Sequence, residues 1–102
     1  MYEIVFEPGF RADYRRIKRI WPGVVKEFSV ALEFLKTSGV LPESYGAHEL
    51  TNPGGNYNGH MDFHLSDGQV DVVVLYMPHK TNPSIRLVRM GTHEDLFQGQ
   101  LR

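Results

Sequence analysis

Beyond its first few residues, the apolar side chains of this chain change their spacing once, near residue 45, and that switch limits the folds available to it. Before it, they recur every three or four positions: Phe10, Tyr14, Ile17 and Trp21, then Val24, Val25, Phe28, Ala31, Leu32 and Leu35. Such spacing draws one apolar stripe along a helix. After it, Tyr57, Gly59, Met61, Phe63 and Leu65 alternate with Asn58, His60, Asp62 and His64. Period two is the pattern of a strand with one apolar and one polar face.

Proline and glycine divide these patterns into elements. Pro22-Gly23 separates the two helical stripes and Gly39 with Pro42 ends the second, so the helices form an antiparallel hairpin. Tyr2 to Phe6 is rich in β-formers and closed by Pro8-Gly9, which predicts a first strand. Val70 to Met77 is almost continuously apolar, as a central strand should be. Ile85 to Met90 supplies another strand beyond a loop at Pro78 to Ser84, and Gly91-Thr92-His93 leads into a short turn or helix carrying Leu96 and Phe97. The predicted fold is α+β: an N-terminal strand, a two-helix hairpin, then an antiparallel β-meander of three strands.

Composition narrows the function. The 102 residues, without repeat or linker, predict one domain over 1–102. With no Cys, disulfides and thiolate metal sites are excluded and a reducing cytoplasmic setting is expected. No stretch has the length of a membrane span, and MYEIVFEPGF lacks the layout of a signal peptide. A net charge of −1 gives no global attraction to nucleic acid. The cluster Arg11, Arg15, Arg16, Lys18 and Arg19 reads first as a solvated helix face.

Histidine is the distinctive chemistry. All five histidines lie between His48 and His93. Asp67-Gly68 between two strand-like runs predicts a tight hairpin. With these as its central residues, Leu65 faces Val70 and His64 faces Asp71 on the polar face, their Cβ atoms about 4.5–5.5 Å apart. RNA cleavage without a metal needs a base for the 2′-OH, an acid for the departing 5′ oxygen and a cation beside the phosphate. Histidine can fill any of these roles, and Asp71 can orient His64 or accept a proton itself. A His–Asp contact can also be merely structural. His60-x-Asp62-x-His64 resembles a metal-ligand string, yet residues two apart on a strand are separated by roughly 6.6 Å and four apart by roughly 13 Å. No metal and no cofactor is expected.

Three blocks in the second half resemble the YafQ-like branch of the RelE/ParE toxin superfamily. They are His48-Glu49-Leu50 with Gly55-Asn56-Tyr57-Asn58-Gly59; Asp62-Phe63-His64 with Asp71 and the run to Tyr76; and Ile85 to Phe97, containing Arg89-Met90-Gly91-Thr92-His93 and Leu96-Phe97. The resemblance implies a RelE-like fold and a toxin that cleaves messenger RNA in the ribosomal A site, held inactive by a cognate antitoxin. It also implies a catalytic set of His48, His64, Asp71 and His93, with Phe97 as a supporting RNA contact. Counting forward from His64 places the aspartate near Asp67, and counting back from Tyr76 gives Asp71; the hairpin register favours Asp71. Arg86 and Arg89 are candidate phosphate contacts, and their spacing puts them on opposite faces of a regular strand. Arg89, nearer His93, is the better candidate. The competing reading is a catalytically decayed RelE-fold protein that binds an antitoxin or another protein target; presence of all four chemical positions weighs against it.

Overall fold

Trp21 shows how the helical layer is made. In the computed structural model, which describes residues 1–50, 59–65, 72–78, 83–92 and 96, α1 spans Pro8–Ile20 and α2 spans Pro22–Ser38. Trp21 sits between them with φ −131° and ψ 76°, closing one helix and opening the next. The proline after it enforces this break, because it disfavours helical backbone at the preceding residue and is itself suited to a first helical position. Phe10, Ile17, Val24, Phe28, Ala31 and Leu35 are buried along the facing stripes.

The end of α2 is equally determined by sequence. Gly39 caps it at φ 76° and donates its N–H to the Leu35 carbonyl at 3.0 Å. A Cβ added there would lie 2.6 Å from the Tyr2 ring. Gly39→Ala is therefore expected to destabilise the fold by roughly 1–3 kcal/mol from the left-handed backbone alone. A lower urea midpoint with unchanged slope would register it.

The sheet has five strands in the order β1-β5-β4-β3-β2. They are β1 (Glu3–Phe6), β2 (His48–Glu49), β3 (Met61–His64), β4 (Val73–Pro78) and β5 (Ser84–Gly91). The expected strand, hairpin and three-strand meander are present. The sequence pattern did not show β2, or that β1 pairs parallel to β5. A 3-10 turn at Glu43–Tyr45 precedes β2. The helices cover one sheet face through Phe63, Leu65, Val74, Tyr76, Ile85, Leu87 and Met90. On the opposite face Val73, Leu75 and Leu96 form a smaller buried cluster, with Leu50 and Val88 against it.

Two register details correct the expectations. His64 faces Val73, not Asp71, and the Leu65 N–H donates to the Val72 carbonyl at 3.1 Å. The pairing is thus shifted by two residues from the tight Asp67-Gly68 turn. A two-residue shift leaves every side chain on its own face, while setting Leu65 against Val72, both fully buried. The second correction concerns β5: Leu75 faces Arg89 but Tyr76 faces Leu87, so Val88 is an extra residue, a β-bulge. Regular alternation is lost there, which lets Leu87 and Met90, three apart, both enter the helix-side core. Arg86 and Arg89 consequently both reach carboxylates of the N-terminal segment, Glu7 and Asp13.

Candidate active site

The site face is the one turned away from the helices. Gly46, at φ 63°, ends the 3-10 turn and swings the chain into β2. His48 then pairs directly with Asp62 across the antiparallel β2–β3 bridge. Directly opposed residues share a face, as do residues two apart on one strand. His48, Asp62 and His64 are therefore brought together by backbone pairing.

Side-chain geometry makes this a specific arrangement. His48 Nδ1 lies 3.0 Å from the Gly46 carbonyl oxygen and 2.9 Å from Asp62 Oδ1. Both neighbours are acceptors, so Nδ1 carries a proton and Nε2 is left for outside partners. The bond to Gly46 has hydrogen-bond geometry; Asp62 is a close charged neighbour to the same nitrogen. The Asp62 side chain is 2% exposed and that of His48 56% exposed. A buried anion thus stands behind a solvent-facing imidazole. The His64 ring stacks on that of His48, with centroids 6.4 Å apart and planes 11° apart. A Cβ on Gly46 would come within 3.4 Å of His64 Nδ1, so the turn backbone packs closely against this second ring.

Tyr76 lies behind the site, on the core side. Burial, and then the charge of Asp62, push its phenol above the ordinary value. It remains protonated at neutral pH and supplies no phenolate base.

The ladder also aims β5 at the site. His64 faces Val73, and Val73 faces Gly91, so these three residues form one row across β3, β4 and β5. Beyond Gly91, the Leu96 N–H donates to the Thr92 carbonyl at 3.1 Å, and Leu96 is fully buried over Val73 and Leu75. Leu96 is therefore seated on the face that carries Asp62 and His64. Asp71, His93 and Phe97 lie outside the described residues, as does Asp67. Since the observed register no longer pairs His64 with Asp71, it also removes the geometric reason for preferring Asp71 over Asp67.

The arginines are placed differently. Arg89 gives Nε to Asp13 Oδ2 at 2.6 Å and Nη2 to Asp13 Oδ1 at 3.2 Å. Arg86 donates Nε to Glu7 Oε2 at 2.9 Å. It sits five residues before Gly91 on β5, about 16 Å along a regular strand, so it is not brought to the His64 row. Its hydrogen bond holds the Glu7 carboxyl below the ordinary value. Stability from this pair is present above the unfolded-state pKa of Glu7 and is lost as pH falls through its lower folded value. The stability difference between wild type and Glu7→Gln is accordingly expected at neutral pH and should vanish on acidification, as read by urea melts at both pH values.

A family model of YafQ, a bacterial toxin of type II toxin–antitoxin systems, matches residues 2–98. The chain belongs to the YafQ toxin family. Solved structures agree in fold. A histidine-to-glutamine mutant of YafQ from E. coli superposes with a TM-score of 0.78 at 20% identity, covering 96% of this chain and 100% of that one. A metal-bound toxin from Helicobacter pylori gives 0.76 at 24% identity, over 95% and 100%. The E. coli DinJ–YafQ toxin–antitoxin complex gives 0.74 at 21% identity, over 95% and 98%. A comparison with the curated proteins finds no match.

Within this YafQ-family fold, His48 and His64 were legible in the sequence but what unites them was not. Asp62 reads from sequence as a polar-face residue and a possible metal ligand; its alternation with Phe63 is visible there, its pairing with His48 is not. Among the described residues no group of three His, Asp or Glu side chains could hold a metal ion, and no helix is long and apolar enough to cross a membrane.

Proposed function

We propose that this YafQ-family toxin is a ribosome-dependent endoribonuclease that cleaves messenger RNA in the A site by metal-independent acid–base catalysis, and that a cognate antitoxin holds it inactive in the cytoplasm. The observation that carries the reading is the stacked pair His48 and His64 over buried Asp62, on the face where Leu96 is also seated. The RNA 2′-OH attacks the adjacent phosphorus, its proton passing to a base as the P–O5′ bond breaks. An acid protonates the departing 5′ oxygen. The products are a 2′,3′-cyclic phosphate, or the 3′-phosphate formed from it, and a 5′-OH end.

The roles follow from chemistry and from family resemblance. His93 is the principal acid–base residue, and Asp71 the base or orienter. His48 and His64 complete proton transfer and bind the transition-state phosphate, with Arg89 and Phe97 as RNA contacts; Arg86, held by Glu7 away from the His64 row, would touch only RNA farther from the cleaved bond. A histidine whose Nδ1 is already committed offers a single defined nitrogen to substrate, a useful property in a proton donor or acceptor. The antitoxin is inferred from the DinJ–YafQ complex, whose toxin shares this fold.

The deciding experiment is induced expression with mapping of messenger RNA 5′ ends, comparing wild type with His93→Ala. New 5′-OH ends within translated codons are expected for wild type and not for the mutant. Equal cleavage by both would remove the main catalytic assignment. Because a Helicobacter pylori relative was solved with metal bound, metal independence is checked separately. Toxin stripped with EDTA, then exchanged back into ribosome buffer, is expected to cleave at an unchanged rate; restoration only by an added transition metal would overturn that part.

A further inference from the structure

Among the described residues two charged side chains are buried, Asp62 and Asp13. The first belongs to the site above. The second stands on α1 between Phe10 and Ile17, in the stripe that meets the sheet, and the chemistry described so far makes no use of it. A carboxylate there must be matched by donors, because an unpaired buried charge is strongly disfavoured. Four contacts converge on it. Oδ2 accepts Arg89 Nε at 2.6 Å and the Met90 backbone N–H at 3.0 Å, and Oδ1 accepts Arg89 Nη2 at 3.2 Å and Arg16 Nη1 at 3.4 Å.

Resting on the nuclease reading above, we propose that Asp13 is a positioning residue of the active site, acting through Arg89 and the end of β5. Three observations support this. A buried ion pair is seldom more stabilising than apolar side chains of similar volume; what a two-pronged carboxylate–guanidinium contact adds is a fixed orientation. The backbone is arranged to make that contact. The bulge at Val88 breaks the alternation of β5, and Gly9 leaves a passage for the arginine, since a Cβ there would lie 3.0 Å from Arg89 Cδ. Finally, the contact sits at a consequential place. Met90 adjoins Gly91, which stands in the His64–Val73 row, and the next residues lead through Thr92 to His93. Asp13 therefore ties the helical layer to the strand end that leads, in sequence, to His93.

The test measures single-turnover messenger RNA cleavage on purified ribosomes for wild type, Asp13→Asn, Arg89→Ala and the double variant, with thermal melts of each. Asp13→Asn is expected to lower the maximal rate roughly 10- to 100-fold, the scale of an ångström-sized misplacement, with little change in the toxin concentration giving half-maximal rate. In the Arg89→Ala background the same substitution is expected to change nothing further. An NMR signal of Arg89 Nε–H, shifted and slow to exchange in wild type, should be lost in Asp13→Asn. An undiminished rate, or equal losses in both backgrounds, overturns the assignment. If Asp13→Asn folds poorly, Gly9→Ala decides: its Cβ, 3.0 Å from Arg89 Cδ, crowds the arginine without altering the Asp13 carboxylate itself. A lowered rate with an unchanged melt supports the assignment, and a wild-type rate overturns it. A wild type that does not cleave on ribosomes removes the functional reading and this inference with it, while the Arg89 Nε–H signal would still be seen. The two failures are thereby distinguishable.

Discussion

His48→Ala and His64→Ala are each expected to lower ribosome-dependent cleavage by about 100- to 10,000-fold, the range of a lost acid–base group. The double variant should lose no more than the worse single one, because groups acting on one transition state fail as a unit. Stability should move little for His48, whose side chain is 56% exposed. His48→Phe and His64→Phe separate chemistry from packing. Each keeps a flat ring at the stacking position and removes the nitrogens, so activity should stay as low as in the alanine variants. Recovery of cleavage in the phenylalanine variants would show that the rings serve as a stacking platform, and proton transfer would have to be assigned elsewhere. Asp62→Asn is a milder probe. It removes the charge 2.9 Å from His48 Nδ1 but leaves the Gly46 carbonyl to hold that nitrogen, so its loss should be smaller than that of His48→Ala.

Much of the fold could be read from the sequence because its signals are local and repeated. Two amphipathic stripes divided by Pro22-Gly23 can form little else than a helical hairpin, and the alternation through His64 identified a two-faced strand. The features that escaped depend on partners distant in sequence. A two-residue strand such as His48–Glu49 is too short to show a period, and its pairing with β3 is what unites His48 with Asp62. The parallel seat of β1 beside β5 and the bulge at Val88 are likewise consequences of packing. The register drawn from Asp67-Gly68 was off by two residues because a local turn signal does not fix which distant residues pair, here Leu65 with Val72. Parity survived the two-residue shift, so His64 was assigned to the correct face with the wrong partner. Asp13 was missed because a lone aspartate within an apolar stripe looks like an interruption until its donors on β5 are seen.

Leu96→Ala is expected to reduce stability by about 2–5 kcal/mol, the usual consequence of truncating a fully buried leucine. Much of a small domain's margin would be lost. Leu96 is 0% exposed and, among the described residues, joins Val73 and Leu75 in a buried cluster on the face away from the helices. Urea denaturation of the purified toxin would measure the loss. The functional effect should exceed the thermodynamic one. Thr92 and Leu96 bracket His93 in sequence, joined by the Leu96 N–H to Thr92 carbonyl bond at 3.1 Å. Truncating Leu96 removes the anchor that follows His93 in sequence while the helix-side core persists. Without urea, at a temperature where the variant is still folded, cleavage should fall at least as far as in Asp13→Asn, whereas antitoxin binding that uses other surfaces should persist. Leu96→Met, which keeps most of the buried volume, should restore both stability and cleavage. Wild-type cleavage by folded Leu96→Ala would mean that the chain beyond Thr92 finds its catalytic position without this contact, leaving the smaller cluster a part in stability alone.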